Sequence, residues 1–400
     1  MTAAPATKHD TSITTRLGAM MVALLAVYLI RSIVSALSQG GTYAAGDFFA
    51  IWSYAQALGG HTASFLYDHS GLHAYQTGLG MPADDANPFA YPPVFMLLLW
   101  PLQALAIWVA LAIWVGAGVA AYGVAMLAGR AVPAVLGWGA LLAPTTTLTI
   151  VAGQGGLFAG ALLVGGVRLM DRRPWLSGLL FGLLTYRPQL GLLIPVALIA
   201  AGAWRCIAGA CLTAAVMSAA TIAAFGWGVW PAWIASLPAY QAMFARAMAG
   251  HHMVITVAAN MAALGAPPWL ADAVQAGTGL GCAVIVWASF RRGPRELAGV
   301  VLLAATCLAT PHALLYDLPV LTGAVLAYAT FRMREGGALD GLELISIAAV
   351  LVFPAVMGWA ATALPISGPA MVSFLVVVMR QRRRSMGLIG REMDRLGGQG

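Results

Sequence analysis

Apolar runs of membrane-spanning length follow one another along most of this chain, separated by short polar turns and clusters of arginine. No other feature limits the fold as strongly, because a run of about 20 apolar residues crosses a bilayer as a helix. After Leu17–Leu37 the runs cover approximately 93–128, 133–152, 157–170, 174–186, 189–203, 206–226, 270–290, 296–311, 314–331, 342–362 and 366–380. Several are shorter than a full span, which predicts short, broken or tilted helices. Composition agrees: 60% of residues are hydrophobic and 9% charged, with mean hydropathy +0.83, whereas soluble domains are about a quarter charged. The expected fold class is all-α, a polytopic integral membrane protein.

Arginine placement sets the expected topology. Arg168/Arg172/Arg173, Arg205, Arg291/Arg292/Arg295, Arg332/Arg334 and the tail from Arg380 separate apolar runs and read as cytoplasmic. With the amino terminus also inside, the number of crossings is even, and it is twelve if 93–128 counts once. That block holds ~36 residues, more than one 30 Å crossing and barely two; Pro101 is the candidate break, so the expected range is eleven to thirteen helices. The organisation is then a cytoplasmic tail over 1–16, one integral domain over 17–380 containing an external loop over 38–92, and a basic cytoplasmic tail over 381–400. The net charge of +7 resides in these topogenic clusters and not along one face, so nucleic acid is not an expected partner. The arginine-rich tail is suited to anionic membrane lipid. Cys206, Cys211, Cys282 and Cys307 form no Cys-x-x-Cys pair and support neither zinc nor a disulfide framework.

Between Arg31 and Arg130 there is no lysine or arginine, while Asp47, Asp68, Asp84 and Asp85 all fall in that window. Loops without positive charge are normally translocated. The same bookkeeping puts outside the turns Gly153-Gln154-Gly155-Gly156, Tyr186-Arg187-Pro188-Gln189 and Thr310-Pro311-His312, and the loop 227–268 with His251-His252. Nearly every side chain with chemical potential therefore gathers at one membrane face. Inside, the loops are short and basic, with no nucleotide-binding glycine motif.

Asp47 opens a segment in which Phe48, Ile51, Trp52, Ala55 and Leu58 recur at helical spacing, an amphipathic helix suited to the interface. Its carboxylate is either an N-cap or a general base within reach of an acceptor hydroxyl. Arg187, held between apolar runs by Pro188 and Pro195, either snorkels or binds an anion such as a lipid phosphate. His312, with Tyr316 and Asp317 one turn beyond, is a structural or a ligand-binding histidine. Gln154 either satisfies backbone groups in its glycine turn or contacts a sugar. Tyr91-Pro92-Pro93 makes a rigid re-entry into the membrane. His251-His252 and Asp84-Asp85 do not complete a metal-ligand set, so neither a metal nor another cofactor is expected.

Gly46-Asp47-Phe48, Leu66-Tyr67-Asp68, Phe89-Ala90-Tyr91-Pro92-Pro93, Gly153-Gln154 and Arg187-Pro188-Gln189, in that order, resemble glycosyltransferase family 87. The likeness extends from about residue 40 to 320, and its short motifs are specific through their order and spacing. It implies a C-type membrane glycosyltransferase architecture. It also implies inverting transfer of mannose or a similar sugar from a polyprenyl-phosphate donor to a lipid or glycan acceptor, on the outer face of the cytoplasmic membrane. On that resemblance Asp47 is the base, and Arg187 and His312 hold the donor phosphate. Tyr91, Trp52 and Tyr67 form an aromatic wall, with Gln154, Gln189 and Tyr316 in the same substrate pocket. The family more often carries Lys-Pro where this chain has Arg187-Pro188; arginine keeps the charge and grips a phosphate as a fork. The rival reading is a polytopic lipid or glycolipid transporter, whose polar groups would sit near the midplane on repeated, broken helices. A lipid-binding partner of another enzyme is a third.

Overall fold

The structure, a computed structural model, describes residues 30, 42–128, 132, 134–247, 250–336 and 339–397. The expected tail over 1–16 and nearly all of the helix expected over 17–37, Arg31 included, lie outside the described residues.

The described residues form an all-helical, polytopic membrane fold with no strands; one isolated bridge pairs Val254 with Leu314. In chain order, the helices used below are α1 (Phe48–Gly60), α2 (Ile107–Leu127), α3 (Pro144–Ala152) and α4 (Gly156–Leu169). They continue with α5 (Pro174–Leu183), α6 (Trp204–Phe225), α7 (Val229–Ala247) and α8 (Pro268–Arg291). The last four are α9 (Arg295–Ala309), α10 (Pro319–Arg334), α11 (Gly341–Trp359) and α12 (Ser367–Gly397). Among the described residues α2, α6, α8 and α11 are long and apolar enough to cross a membrane. Others are short or broken, as the lengths of the apolar runs require. The long run 93–128 divides into short helical turns over 93–104 and the full span α2. Pro101 lies inside a 3-10 turn, and the break falls at Leu105, where the backbone becomes extended.

Burial sorts these helices. Every residue of α9 from Leu297 to Ala309 is buried, the mark of a helix apolar on all faces and enclosed by others. It packs against α4, α8, α10 and α12. The four long helices keep most of their surface outward instead. α5 and α6 approach through small residues: a Cβ at Gly178 would strike the backbone of Cys206 and Gly209. Such contacts are how membrane helices gain dispersion energy where lipid supplies no hydrophobic drive. Most exposed tryptophans among the described residues stand at or near helix ends, Trp175, Trp204 and Trp287 near arginines and Trp108, Trp227, Trp269 and Trp359 at the opposite ends. Aromatic belts at both interfaces have this distribution.

A polar network ties the arginine-bearing ends together. Tyr328 donates to Glu343 at 2.5 Å, Arg332 pairs with Glu343 at 2.9 Å, and Asp340 and Glu343 form a capping box on α11. Arg380 reaches Asp340 at 3.0 Å. α12 runs unbroken past Arg380 to Gly397, so the basic tail begins as a continuation of the last apolar helix.

Candidate active site

Several short polar segments converge on a cavity of 380 Å³, at the lower end of the usual range for small-molecule sites. One wall is α1, which presents Ala50, Ile51 and Tyr54. Asn87 to Pro92 pass beside it, held by Tyr54, whose hydroxyl donates to the carbonyls of Asn87 and Pro88, and by Tyr67, whose hydroxyl donates to the carbonyl of Tyr91 at 2.9 Å. Tyr91 stacks on Phe95 at 4.1 Å, and Phe95 on Tyr186 at 5.6 Å.

The glycine turn after α3 reaches the same place for steric reasons. Gly153 has φ +64° and lies against Phe48, so both its conformation and its neighbour exclude a side chain. A Cβ on Gly156 would collide with the Tyr316 carbonyl. That carbonyl accepts from Thr149 at 3.1 Å, and Tyr186 donates to the Gly155 carbonyl at 3.1 Å. Gln154 Nε2 lies 3.5 Å from the Asp47 carbonyl. The turn thus joins the two ends of the site.

Arg187 sits between two 3-10 turns, its backbone out of the helical region (φ −133°, ψ 67°), as the clash of a following proline with helical geometry requires. It is 3% exposed and forms an ion pair with Asp317. Its guanidinium lies 5.8 Å from the ring centres of Tyr91 and Tyr316, within cation–π range. The turn carrying His312, Tyr316 and Asp317 is clipped from behind: Ile255 donates to Ala313 and Leu315 to Met253 around the Val254–Leu314 bridge. Thr310 donates to the Gln189 carbonyl at 3.0 Å and ties that turn to the Arg187 turn. Burial pushes the His312 imidazole below its ordinary value.

Of the residues expected from sequence, Tyr91, Gln154, Arg187, Gln189, His312 and Tyr316 line this cavity together. Trp52 and Tyr67 do not. Trp52 turns its indole N–H to the Leu105 carbonyl at 2.9 Å, and Tyr67 is buried behind Tyr91. Asp47 is not a lining residue; its backbone carbonyl lies 3.5 Å from Nε2 of Gln154, which is one. Although it occupies the N-cap position of α1, its side chain makes no capping hydrogen bond. The residue is exposed, yet the protein mass around its carboxyl strips part of its hydration and pushes its pKa up to about 6. Burial, neighbouring tyrosines and the Asp47 charge together push the phenols of Tyr54 and Tyr316 well above their ordinary value. Asp47 therefore belongs to the electrostatics of the cavity without touching it.

The sequence reading overlooks α7, which contributes Trp233, Leu237, Tyr240 and Gln241 to the wall. Their spacing over two helical turns is the signal that could have found them. His251 and His252 stack at 4.5 Å. His251 Nδ1 accepts from the Met253 N–H at 3.2 Å, so that pair serves the local turn.

What the arrangement offers chemically is a buried guanidinium, an imidazole, and aromatic and carboxamide side chains in one cavity wall, together with the carboxylate of Asp47, a residue whose backbone carbonyl lies 3.5 Å from Gln154 Nε2. The model of glycosyltransferase family 87 matches residues 89–311, more than half of the chain. The matched stretch contains Tyr91, Gln154, Arg187 and Gln189, and begins after Asp47. No curated protein and no solved structure matches the chain.

Proposed function

The chain belongs to glycosyltransferase family 87 and is a membrane glycosyltransferase; on that premise we propose that it moves mannose or a similar sugar from a polyprenyl-phosphate donor to a lipid or glycan acceptor, with inversion. The site faces the outer side of the cytoplasmic membrane in this reading, opposite the arginine clusters. Asp47 takes the proton from an acceptor hydroxyl. The acceptor oxygen bonds to the anomeric carbon as the bond from that carbon to the phosphate oxygen breaks, and the electron pair leaves with the polyprenyl phosphate.

The observation that carries this reading is that Arg187 and His312 share one cavity with Gln154, whose side-chain amide lies 3.5 Å from the backbone carbonyl of Asp47. Arg187 and His312 lie in the cavity wall, and the Asp47 carboxylate is not engaged by the helix end it begins. A carboxyl with pKa about 6 is mostly ionised at neutral pH yet more basic than an ordinary carboxylate, which suits a general base. The guanidinium and the imidazole N–H supply positive potential where negative charge grows on the leaving phosphate, a mainly electrostatic contribution. Tyr91 and Tyr316 flank Arg187 and leave the sugar an aromatic and carboxamide surround.

The test is transfer by the purified protein in liposomes, with radiolabelled polyprenyl-phosphate mannose and membrane lipid acceptors. The expected result is a labelled glycolipid whose new linkage has the opposite anomeric configuration to the donor. Movement of labelled lipid between leaflets without a new glycosidic bond would favour the transporter instead.

A further inference from the structure

Arg187 carries its counter-charge with it. Asp317, 130 residues later in the chain, pairs with Nη1 of the guanidinium. The other carboxylate oxygen of Asp317 accepts the Leu314 N–H at 3.1 Å, so the turn itself fixes the acid. Both side chains are buried, at 3% and 5% exposure, and both residues line the cavity. The remaining donors of Arg187 are poorly used. Nη2 lies 3.5 Å from the Tyr91 hydroxyl, at the outer limit of hydrogen bonding, and Nε is buried without a partner. Native structures rarely keep a buried charged donor unsatisfied. Nε and Nη2 form one edge of the planar fork, the geometry that grips two oxygens of a phosphate.

We propose that Asp317 is a positioning residue and built-in counter-anion for the phosphate site. It holds Arg187 by Nη1, leaves the Nε–Nη2 edge for an oxyanion, and weakens the grip on that anion. The inference rests on the reading that this cavity takes a polyprenyl-phosphate donor. Its logic is the charge change of the reaction: the donor phosphodiester carries one negative charge, and the departing phosphomonoester carries between one and two near pH 7. An unpaired, desolvated guanidinium would hold the product more tightly than the donor and retard turnover. A fixed carboxylate beside it lowers the site's affinity for both, most for the more highly charged product. Asp317 cannot swing away to make room, because its second oxygen is anchored to the backbone of the clipped turn.

The experiment measures binding of farnesyl phosphate, a short mimic of the leaving group, to the full-length purified protein by titration calorimetry. Asp317→Asn keeps the shape and the acceptor for Leu314 while removing the charge. It is expected to bind farnesyl phosphate roughly tenfold or more tightly than the unmodified protein, the scale set by one nearby charge at an effective dielectric constant of about 20. Asp317→Glu restores the charge and is expected to return affinity toward that of the unmodified protein. Because an unpaired buried arginine can unfold a protein, a second comparison uses Arg187→Gln alone and combined with Asp317→Asn. The neutral double variant is expected to bind better than Arg187→Gln, in which Asp317 is left to repel the ligand. A purely structural partner would behave oppositely, with binding weakened by its loss. Equal or weaker binding by Asp317→Asn, or no gain in the double variant over Arg187→Gln, overturns the proposal. If the unmodified protein does not bind farnesyl phosphate, the donor reading itself fails and the proposal falls with it.

Discussion

Transfer should depend on a single ionisation near pH 6, a consequence of where the fold leaves Asp47. The carboxyl makes no capping bond and is partly stripped of water, so its pKa rises to about 6. At that value about nine-tenths of the protein is ionised at pH 7 and about one-tenth at pH 5, so kcat/KM is expected to fall about tenfold between the two. A carboxyl at its ordinary 3.8 would still be about nine-tenths ionised at pH 5 and would give almost no fall. The assay is the initial rate of radiolabelled sugar transfer from pH 4.5 to 8, with donor below its KM. The charged and titratable groups around the site are Arg187, Asp317, His312 and the phenols of Tyr54, Tyr91, Tyr240 and Tyr316. Burial pushes the phenols of Tyr54, Tyr240 and Tyr316 up, so they stay protonated across this range, and the arginine stays charged. The imidazole is the group to control, so the profile is repeated with His312→Gln. An acid limb with its midpoint near 6 in both proteins is expected. A flat profile down to pH 5, or a limb that vanishes with His312, would refute the assignment. The sign for stability runs the other way. A carboxyl whose folded pKa is raised contributes stability that is fully present below pH 3.8 and is lost as pH rises through about 6. Asp47→Asn should therefore raise Tm at pH 7.5 even as it slows transfer.

Gly156→Ala should drive a methyl group into the Tyr316 carbonyl and lower stability by about 1–3 kcal/mol, read as a fall in Tm together with lost transfer. Glu343→Gln removes the charge that Arg332 and Tyr328 share at the far end of the bundle; a loss of roughly 3 kcal/mol is expected, with kcat per folded molecule unchanged. Arg187→Lys keeps a positive charge but loses the planar fork, so donor KM should rise at least tenfold, while acceptor KM stays within about twofold.

Much of the fold was legible because lipid leaves the chain few options. Backbone groups in a bilayer must be satisfied within helices, and arginines mark the ends at which those helices stop. Proline and glycine spacing likewise marked the turns at Gly153, Arg187 and His312, and these do converge on one cavity. Other features depend on which way a side chain points. Trp52 and Tyr67 have the chemistry of a sugar wall, but a carbonyl elsewhere claims each polar tip. Asp317 meets Arg187 across 130 residues, a distance over which periodicity carries no information. α7 lies within the stretch 227–268 expected as an external loop, and the structure carries the helix through Pro238. For Asp47 the sequence left cap and base equally open, and the free carboxylate at the helix start decides against the cap.

The most direct measurement is single-turnover transfer by Asp47→Asn with polyprenyl-phosphate mannose bound and acceptor in excess. The expected rate is lower by about a hundredfold to ten-thousandfold, with farnesyl phosphate affinity and Tm no lower than those of the unmodified protein. Transfer by Asp47→Asn at the unmodified rate, with the protein folded and the donor bound, would contradict the role of Asp47 as base.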